Sequence, residues 1–208
     1  MTGSRSAPCS PLPASGSRTR PLIIGLTGPN AAGKGAAAEA LKSLGFVYHS
    51  LSDAVREAAI LRGRTTDRDD LILTGNELRR EGGAGILAEL TLPKLGGRDI
   101  VDSVRNPAEV EVLRRLPGFL LLGVTALPAV RFERARQRQG RGDAVASLQA
   151  FLDKEAEENT ADPAAQQLSA TFALADHLID NDGSIDDLNQ DIRELVARLT
   201  EENGTVPP

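Results

Sequence analysis

The sequence predicts an α/β protein built on a five-stranded parallel sheet with helices on both faces. Three observations carry that expectation. Short apolar runs alternate along the chain with segments of helical periodicity. The runs are continuously apolar rather than alternating, as in strands covered on both faces. The first run leads straight into a Gly-x4-Gly-Lys turn and then an alanine-rich helix, the context such a turn needs to bind phosphate.

Residues 1–20 hold Ser, Pro, Gly and Arg with no Asp or Glu, and are read as a disordered tail. They are acid-free like a transit peptide but lack its amphipathic helix, and they lack the apolar core of a signal peptide. The ordered unit spans 21–200, and 201–208 is read as a second disordered end.

Its first strand is Leu22–Thr27, followed by Gly28-Pro29-Asn30-Ala31-Ala32-Gly33-Lys34-Gly35. The glycines let backbone N–H groups turn inward on an anion, and the next helix, starting near Gly33, adds partial positive charge at its N-terminus. Residues Gly28, Asn30, Ala31, Ala32, Gly33, Lys34, Gly35 and Ala36 are therefore the expected phosphate cradle. Lys34 is the point charge for the β/γ oxygens. Position 35 is glycine where a Ser or Thr hydroxyl would hold Mg²⁺, and Ala36 supplies none either.

Four further strands are expected at Phe46–His49, Ile100–Ser103, Phe119–Thr125 and His177–Asp180. Ligands of such sheets gather beyond the carboxyl ends of the strands, so the residues that follow each strand matter most. After the second come Asp53 and Arg56, one helical turn apart, either facing the crevice or forming a surface pair. After the third, Asp102 stands where a carboxylate would order Mg²⁺ through water, and Arg105 follows. Asn106, Pro107 and Glu109 mark a capped helix start.

After the fourth strand, Arg131, Arg134, Arg138 and Arg141 recur at helical spacing. They form either a solvated basic face or a cationic clamp, for which Gly140 and Gly142 are candidate hinges. After the fifth, Asn181-Asp182-Gly183 is either plain turn chemistry or a contact for an adenine ring. Ser184 then caps a final helix with the apolar stripe Ile185, Leu188, Ile192, Leu195 and Leu199. Between strands two and three, the glycine-bracketed run Gly75–Gly85, containing Asn76 and Arg79, falls where a phosphate acceptor would be held.

The totals restrict the function classes. The 208 residues are 40% apolar and 25% charged, ordinary for one globular domain. A net charge of −5 argues against a nucleic-acid binder, and 3% aromatics without Trp against a base-stacking platform. No apolar stretch approaches the length of a membrane span. Cys9 stands alone, which excludes an intramolecular disulfide and suits a reducing, cytoplasmic setting. His49 and His177 have no Cys or His partners, so no zinc site is expected.

Taken together, Gly28–Gly35, Leu51-Ser52-Asp53…Arg56, Asp102…Arg105, the arginine stripe and Ala175–Ser184 resemble the nucleoside monophosphate kinase branch of P-loop (Walker A) proteins. The Gly-Lys-Gly is similar to adenylate kinases, and the Ala-Asp…Ile-Asp-Asn-Asp-Gly-Ser ending is similar to dephospho-coenzyme A kinases. Gly-Asn-Glu-Leu-Arg-Arg and Val-Asp-Ser-Val-Arg-Asn-Pro-Ala-Glu-Val resemble predicted nucleotide kinases akin to the N-terminal part of some deoxycytidylate deaminases.

The resemblance implies an acceptor-binding insert at 52–95 and a lid at 138–167. It implies ATP with Mg²⁺, catalytic roles for Lys34, Asp102, Arg134 and Arg138, and Asn181 beside the nucleotide. Asp53, Arg56, Asn76, Arg79 and Arg105 would bind the acceptor, a small nucleotide, in a monomer or homodimer. Two departures stand out: Ala36 replaces the adenylate kinase Thr, and Ser103 the glycine of Asp-Gly. The expected activity is transfer of the γ-phosphoryl group to a nucleoside or deoxynucleoside monophosphate. The alternatives are a dephospho-coenzyme A kinase, with Asp53 as base, and a nucleotide sensor with little turnover.

Overall fold

The computed structural model describes residues 20–137, 147–159, 162 and 165–204. The strands are β1 (Leu22–Thr27), β2 (Val47–Ser50), β3 (Arg98–Asp102), β4 (Phe119–Thr125) and β5 (His177–Asp180). They pair in parallel in the order β2-β3-β1-β4-β5, so β1 is central and carries its following loop into the middle of the sheet's carboxyl edge. The helices, in chain order, are α1 (Lys34–Ser43), α2 (Leu51–Leu61), α3 (Arg68–Gly82), α4 (Ile86–Thr91), α5 (Pro107–Leu113), α6 (Pro128–Gln137), α7 (Leu148–Glu158), α8 (Leu168–Phe172) and α9 (Ile185–Gly204). Among the described residues, no helix is long and apolar enough to cross a membrane.

Each face of the sheet has its own apolar core. Leu22, Ile24 and Leu26 of β1 pack with Ala37, Leu41, Leu188, Ile192 and Leu195 of α1 and α9. Their alternates Ile23, Val101 and Leu121 pack with Leu51, Val55, Leu87, Val110 and Leu113 of α2, α4 and α5. Burial on both faces explains why these strands read as unbroken apolar runs.

Strands β1, β4 and β5 fall where the sequence put them; β2 and β3 are displaced. Strand β3 starts at charged Arg98, paired with Leu22, and ends at Asp102. Ser103, expected inside the strand, turns out of it with a left-handed φ of 66°. The predicted capping box is present: Asn106 and Glu109 cap α5 reciprocally, with Pro107 in its first turn. Ser184 Oγ accepts from Asp187 N at 3.2 Å at the start of α9. Ile185 departs from its predicted stripe and is 56% exposed, while Leu188, Ile192, Leu195 and Leu199 are buried.

Candidate functional site

The loop after β1 is shaped by what packs beneath it. A Cβ on Gly28, whose φ is 139°, would collide with the Val124 carbonyl of β4, so the loop can sit this low only with glycine there. A Cβ on Gly33 would collide with the Asn181 side chain. Asn181, expected beside an adenine, also serves as a strut: it is buried, and its Nδ2 donates to Ala32 O at 2.8 Å. Asn181→Ala should leave the Ala32 carbonyl without that donor and lower stability by about 1–3 kcal/mol. A thermal melt within error of wild type would show that the strut is dispensable. Ala31 adopts φ 58°, a left-handed conformation uncommon for a residue with a Cβ.

Lys34 opens α1 and is half-buried, its Nζ donating to Gly28 O at 2.7 Å and Pro29 O at 2.9 Å. Burial, then the nearby Arg105, pull its pKa down to about 8, while Asp102 and Glu155 act the other way and Arg131 lowers it further. One lysine thus senses two arginines and two carboxylates from β3, the following turn, α6 and α7.

Asp102 has both oxygens oriented. Tyr48 Oη donates to Oδ2 at 2.8 Å and Ser103 N to Oδ1 at 2.6 Å. Burial and the adjacent carboxylate push the Tyr48 phenol up to about 12, so it stays protonated and donating. The Ser50 and Ser103 hydroxyls lie 3.3 Å apart beside this carboxylate. Among the described residues no group of three or more His, Cys, Asp or Glu side chains could hold a metal by itself.

The acceptor-side residues divide. Asp53 and Arg56 pair with each other and are half-exposed. Asn76 lies half-buried on α3. Arg79 is buried and donates Nη2 to Glu109 Oε1 at 2.8 Å. That contact corrects the expectation of an arginine open to a phosphate: Arg79 is committed to a fully buried carboxylate. Burial pushes the Glu109 carboxyl up, and Arg79 with the N–H groups of Arg105 and Asn106 pulls it back. Arg105 is half-buried, its side chain bonded to Gln166 at 3.0 Å.

On the other side, Arg131 is buried and bonded to Ala126 O, Asn30 O and Glu155. Arg134 keeps a buried Nη1 without a partner among the described residues. It lines an open groove of about 470 Å³ with Ala129, Val130, Glu133, Gln137, Asp182 and Gly183. Arg138 and Arg141 lie outside the described residues, as does the 138–146 part of the expected lid. The sequence reading missed Tyr48 and Glu155, whose partners are far along the chain and leave no local pattern.

No family model matches the chain. Among curated proteins it is 34% identical to a UPF0200 protein of Pyrococcus abyssi, over 86% of this chain and 97% of that one. The chain belongs to the UPF0200 family. Further UPF0200 members match at 32% identity in Pyrococcus horikoshii, over 86% of this chain and 97% of that one, and at 31% in Hyperthermus butylicus, over 86% and 95%.

Solved structures similar to this UPF0200 chain share its fold at lower identity. TT1252 of Thermus thermophilus superposes with a TM-score of 0.57 at 22% identity, covering 86% of this chain and 98% of that one. Shikimate kinase of Bacteroides thetaiotaomicron gives 0.54 at 16% identity, over 85% and 98%. A gluconokinase of Sinorhizobium meliloti gives 0.50 at 16%, over 89% and 97%. The UPF0200 chain therefore has the fold of P-loop kinases, a parallel α/β sheet with the loop after its central strand.

Proposed function

We propose that this chain is a cytoplasmic nucleotide kinase that moves the γ-phosphoryl group of ATP to a nucleoside or deoxynucleoside monophosphate. The observation that carries the reading is convergence on Lys34: Asp102, Arg105 and Arg131 act on its amine from three separate elements around one phosphate-type loop. Phosphoryl transfer asks a protein mainly for positioning and for neutralisation of moving charge, and this set supplies both.

In this reading the N–H groups from Asn30 to Ala36 cradle the triphosphate, and Lys34 turns from its loop carbonyls to the β/γ oxygens. Arg134, with an unpaired Nη1 on the groove wall, faces the nucleotide. Arg56 and Arg105 take the acceptor's phosphate, Asp53 and Asn76 flank it, and Arg79 positions Arg105 through the carboxylate they share. A lone, rigidly held carboxylate fits a Mg²⁺ that arrives with ATP and keeps its waters. Asp102 would hold those waters, and the metal would neutralise charge on the β/γ oxygens. Gly35 offers no ligand.

Coupled measurement of ADP release over a panel of nucleoside monophosphates and dephospho-coenzyme A, with Mg²⁺ and ATP, tests the proposal. Multiple-turnover ADP formation that requires one nucleoside monophosphate is the expected result. A response to dephospho-coenzyme A alone would transfer the reading to a hydroxyl acceptor, with Asp53, now engaged by Arg56, as the needed base. Tight ATP binding without acceptor-dependent turnover would favour a sensor, the reading to which the missing hydroxyl at Gly35 lends support.

Arg138→Ala separates a clamp from a solvated face. As a clamp, its loss lowers kcat strongly and ATP affinity little, because the contact strengthens as charge moves. Unchanged kcat and Kd would remove Arg138 from the machinery.

A further inference from the structure

Asn30, an exposed residue of the phosphate loop, already has an anion of the protein's own against it. Its N–H donates to Glu155 Oε1 of α7 at 3.0 Å. Arg131 Nη1 donates to both oxygens of the same carboxylate, at 2.7 and 3.0 Å, and to Asn30 O at 3.1 Å. The pair is largely shielded from water, with side-chain exposures of 7% for Arg131 and 20% for Glu155.

The position of Glu155 is fixed from one turn away. Phe151, four residues earlier and on the same face of α7, is buried against Phe132 at a centroid distance of 6.1 Å, with the Arg131 guanidinium 5.5 Å from its ring. The aromatic contact anchors the helix, and the carboxylate is thereby aimed at the mouth of the loop. A carboxylate that accepts one loop amide and one guanidinium makes the contacts a phosphate's oxygens would make there. Arg131, bonded through Nε to Ala126 O at 3.1 Å, is held in place whichever anion it faces.

We propose that Glu155 is a built-in stand-in for the terminal phosphate of a nucleoside triphosphate. It keeps the Asn30 amide and Arg131 in binding geometry and is displaced by a polyphosphate, which takes over both donors. The inference rests on the nucleotide-site reading above and deepens it. It assigns Arg131 to the ligand's outer phosphate and makes the chain's own carboxylate a competitor of ATP. The measured affinity is then a difference between two anions for one set of donors.

Calorimetric binding of MgATP and of inorganic pyrophosphate to wild type and Glu155→Gln tests this. The amide has the same shape but no charge, so it should tighten MgATP about tenfold. Pyrophosphate should gain similarly, because the competition involves phosphates and not the base. A thermal melt verifies that the variant folds, and Glu155→Asp, one methylene short of the loop, should shift affinity in the same direction. Equal or weaker MgATP binding by folded Glu155→Gln, with wild type still binding, would overturn the stand-in and leave Glu155 as a structural partner of Arg131. Absence of MgATP binding in wild type and both variants would overturn the nucleotide-site reading and the stand-in with it.

Discussion

Lys34→Ala is expected to lower kcat by about 10²–10³ while the melting temperature stays near that of wild type. The loss corresponds to about 2–4 kcal/mol of transition-state stabilisation by one charged contact. The fold should survive because, among the described residues, Lys34 bonds to carbonyls of its own loop, Gly28 and Pro29, and packs into neither apolar core. Its pKa of about 8 adds a pH signature. A lysine held below its ordinary value sheds its proton as pH rises through 8, so at pH 9 only about one site in ten carries the charge that attracts a triphosphate. MgATP affinity should fall above pH 8, and binding at pH 9 should take up a proton, detectable by calorimetry in buffers of different ionisation heat. Both effects should vanish in the alanine variant. Near-wild-type turnover in Lys34→Ala would remove the loop from the chemistry.

Glu109→Ala is expected to have the largest effect on stability, about 3–5 kcal/mol, or roughly 10 °C in melting temperature for a chain of this size. Glu109 accepts from Arg79 Nη2 at 2.8 Å, Arg105 N at 2.8 Å and Asn106 N at 3.1 Å with no exposure to solvent. Its removal leaves the Arg79 guanidinium buried without its counter-ion, and Arg79 Nε already lacks a partner. Glu109→Gln should fall between the two, keeping acceptors for the amides but losing the charge. A shift below about 1 kcal/mol in the alanine variant would mean that water or rearrangement rescues Arg79, in which case the α3–α5 contact is not rigid.

These two residues also mark how much the sequence could say. Lys34 was legible because every feature that defines its loop is local: a strand, two glycines and a helix start within a short stretch. Glu109 was legible only in half. Its spacing from Asn106 announced a capping box, but nothing local announced that its other oxygen would receive Arg79 from α3. The same limit explains Arg79 itself, read as a phosphate ligand because a buried arginine and an open one have the same sequence.

Strand ends went astray where pairing and hydrophobicity part company. In β3 the backbone pairs from Arg98, yet the apolar run begins at Ile100, because Asp99 turns inward to accept from Gly96 N and Gly97 N. In β2, at the sheet's edge, Val47 and Tyr48 are exposed, and Tyr48 reaches along the sheet to Asp102. Contacts such as Tyr48 with Asp102 and Glu155 with Asn30 join residues 54 and 125 positions apart, and no periodicity records them.

The Asn181 strut has a consequence for how the molecule comes into being. Asn181 and Ala32 are separated by 149 residues, so a loop made early in this chain is braced by a side chain made much later. Forming that brace closes most of the described chain into one ring, the kind of non-local contact that is made late in folding. During synthesis the first strand and its loop leave the ribosome long before β5 exists to support them. Nascent chains stalled before residue 181 should therefore not protect the loop from proteolysis, whereas chains that have released β5 and α9 should. Competence at the phosphate loop then becomes a built-in report that β5 and α9 have been made.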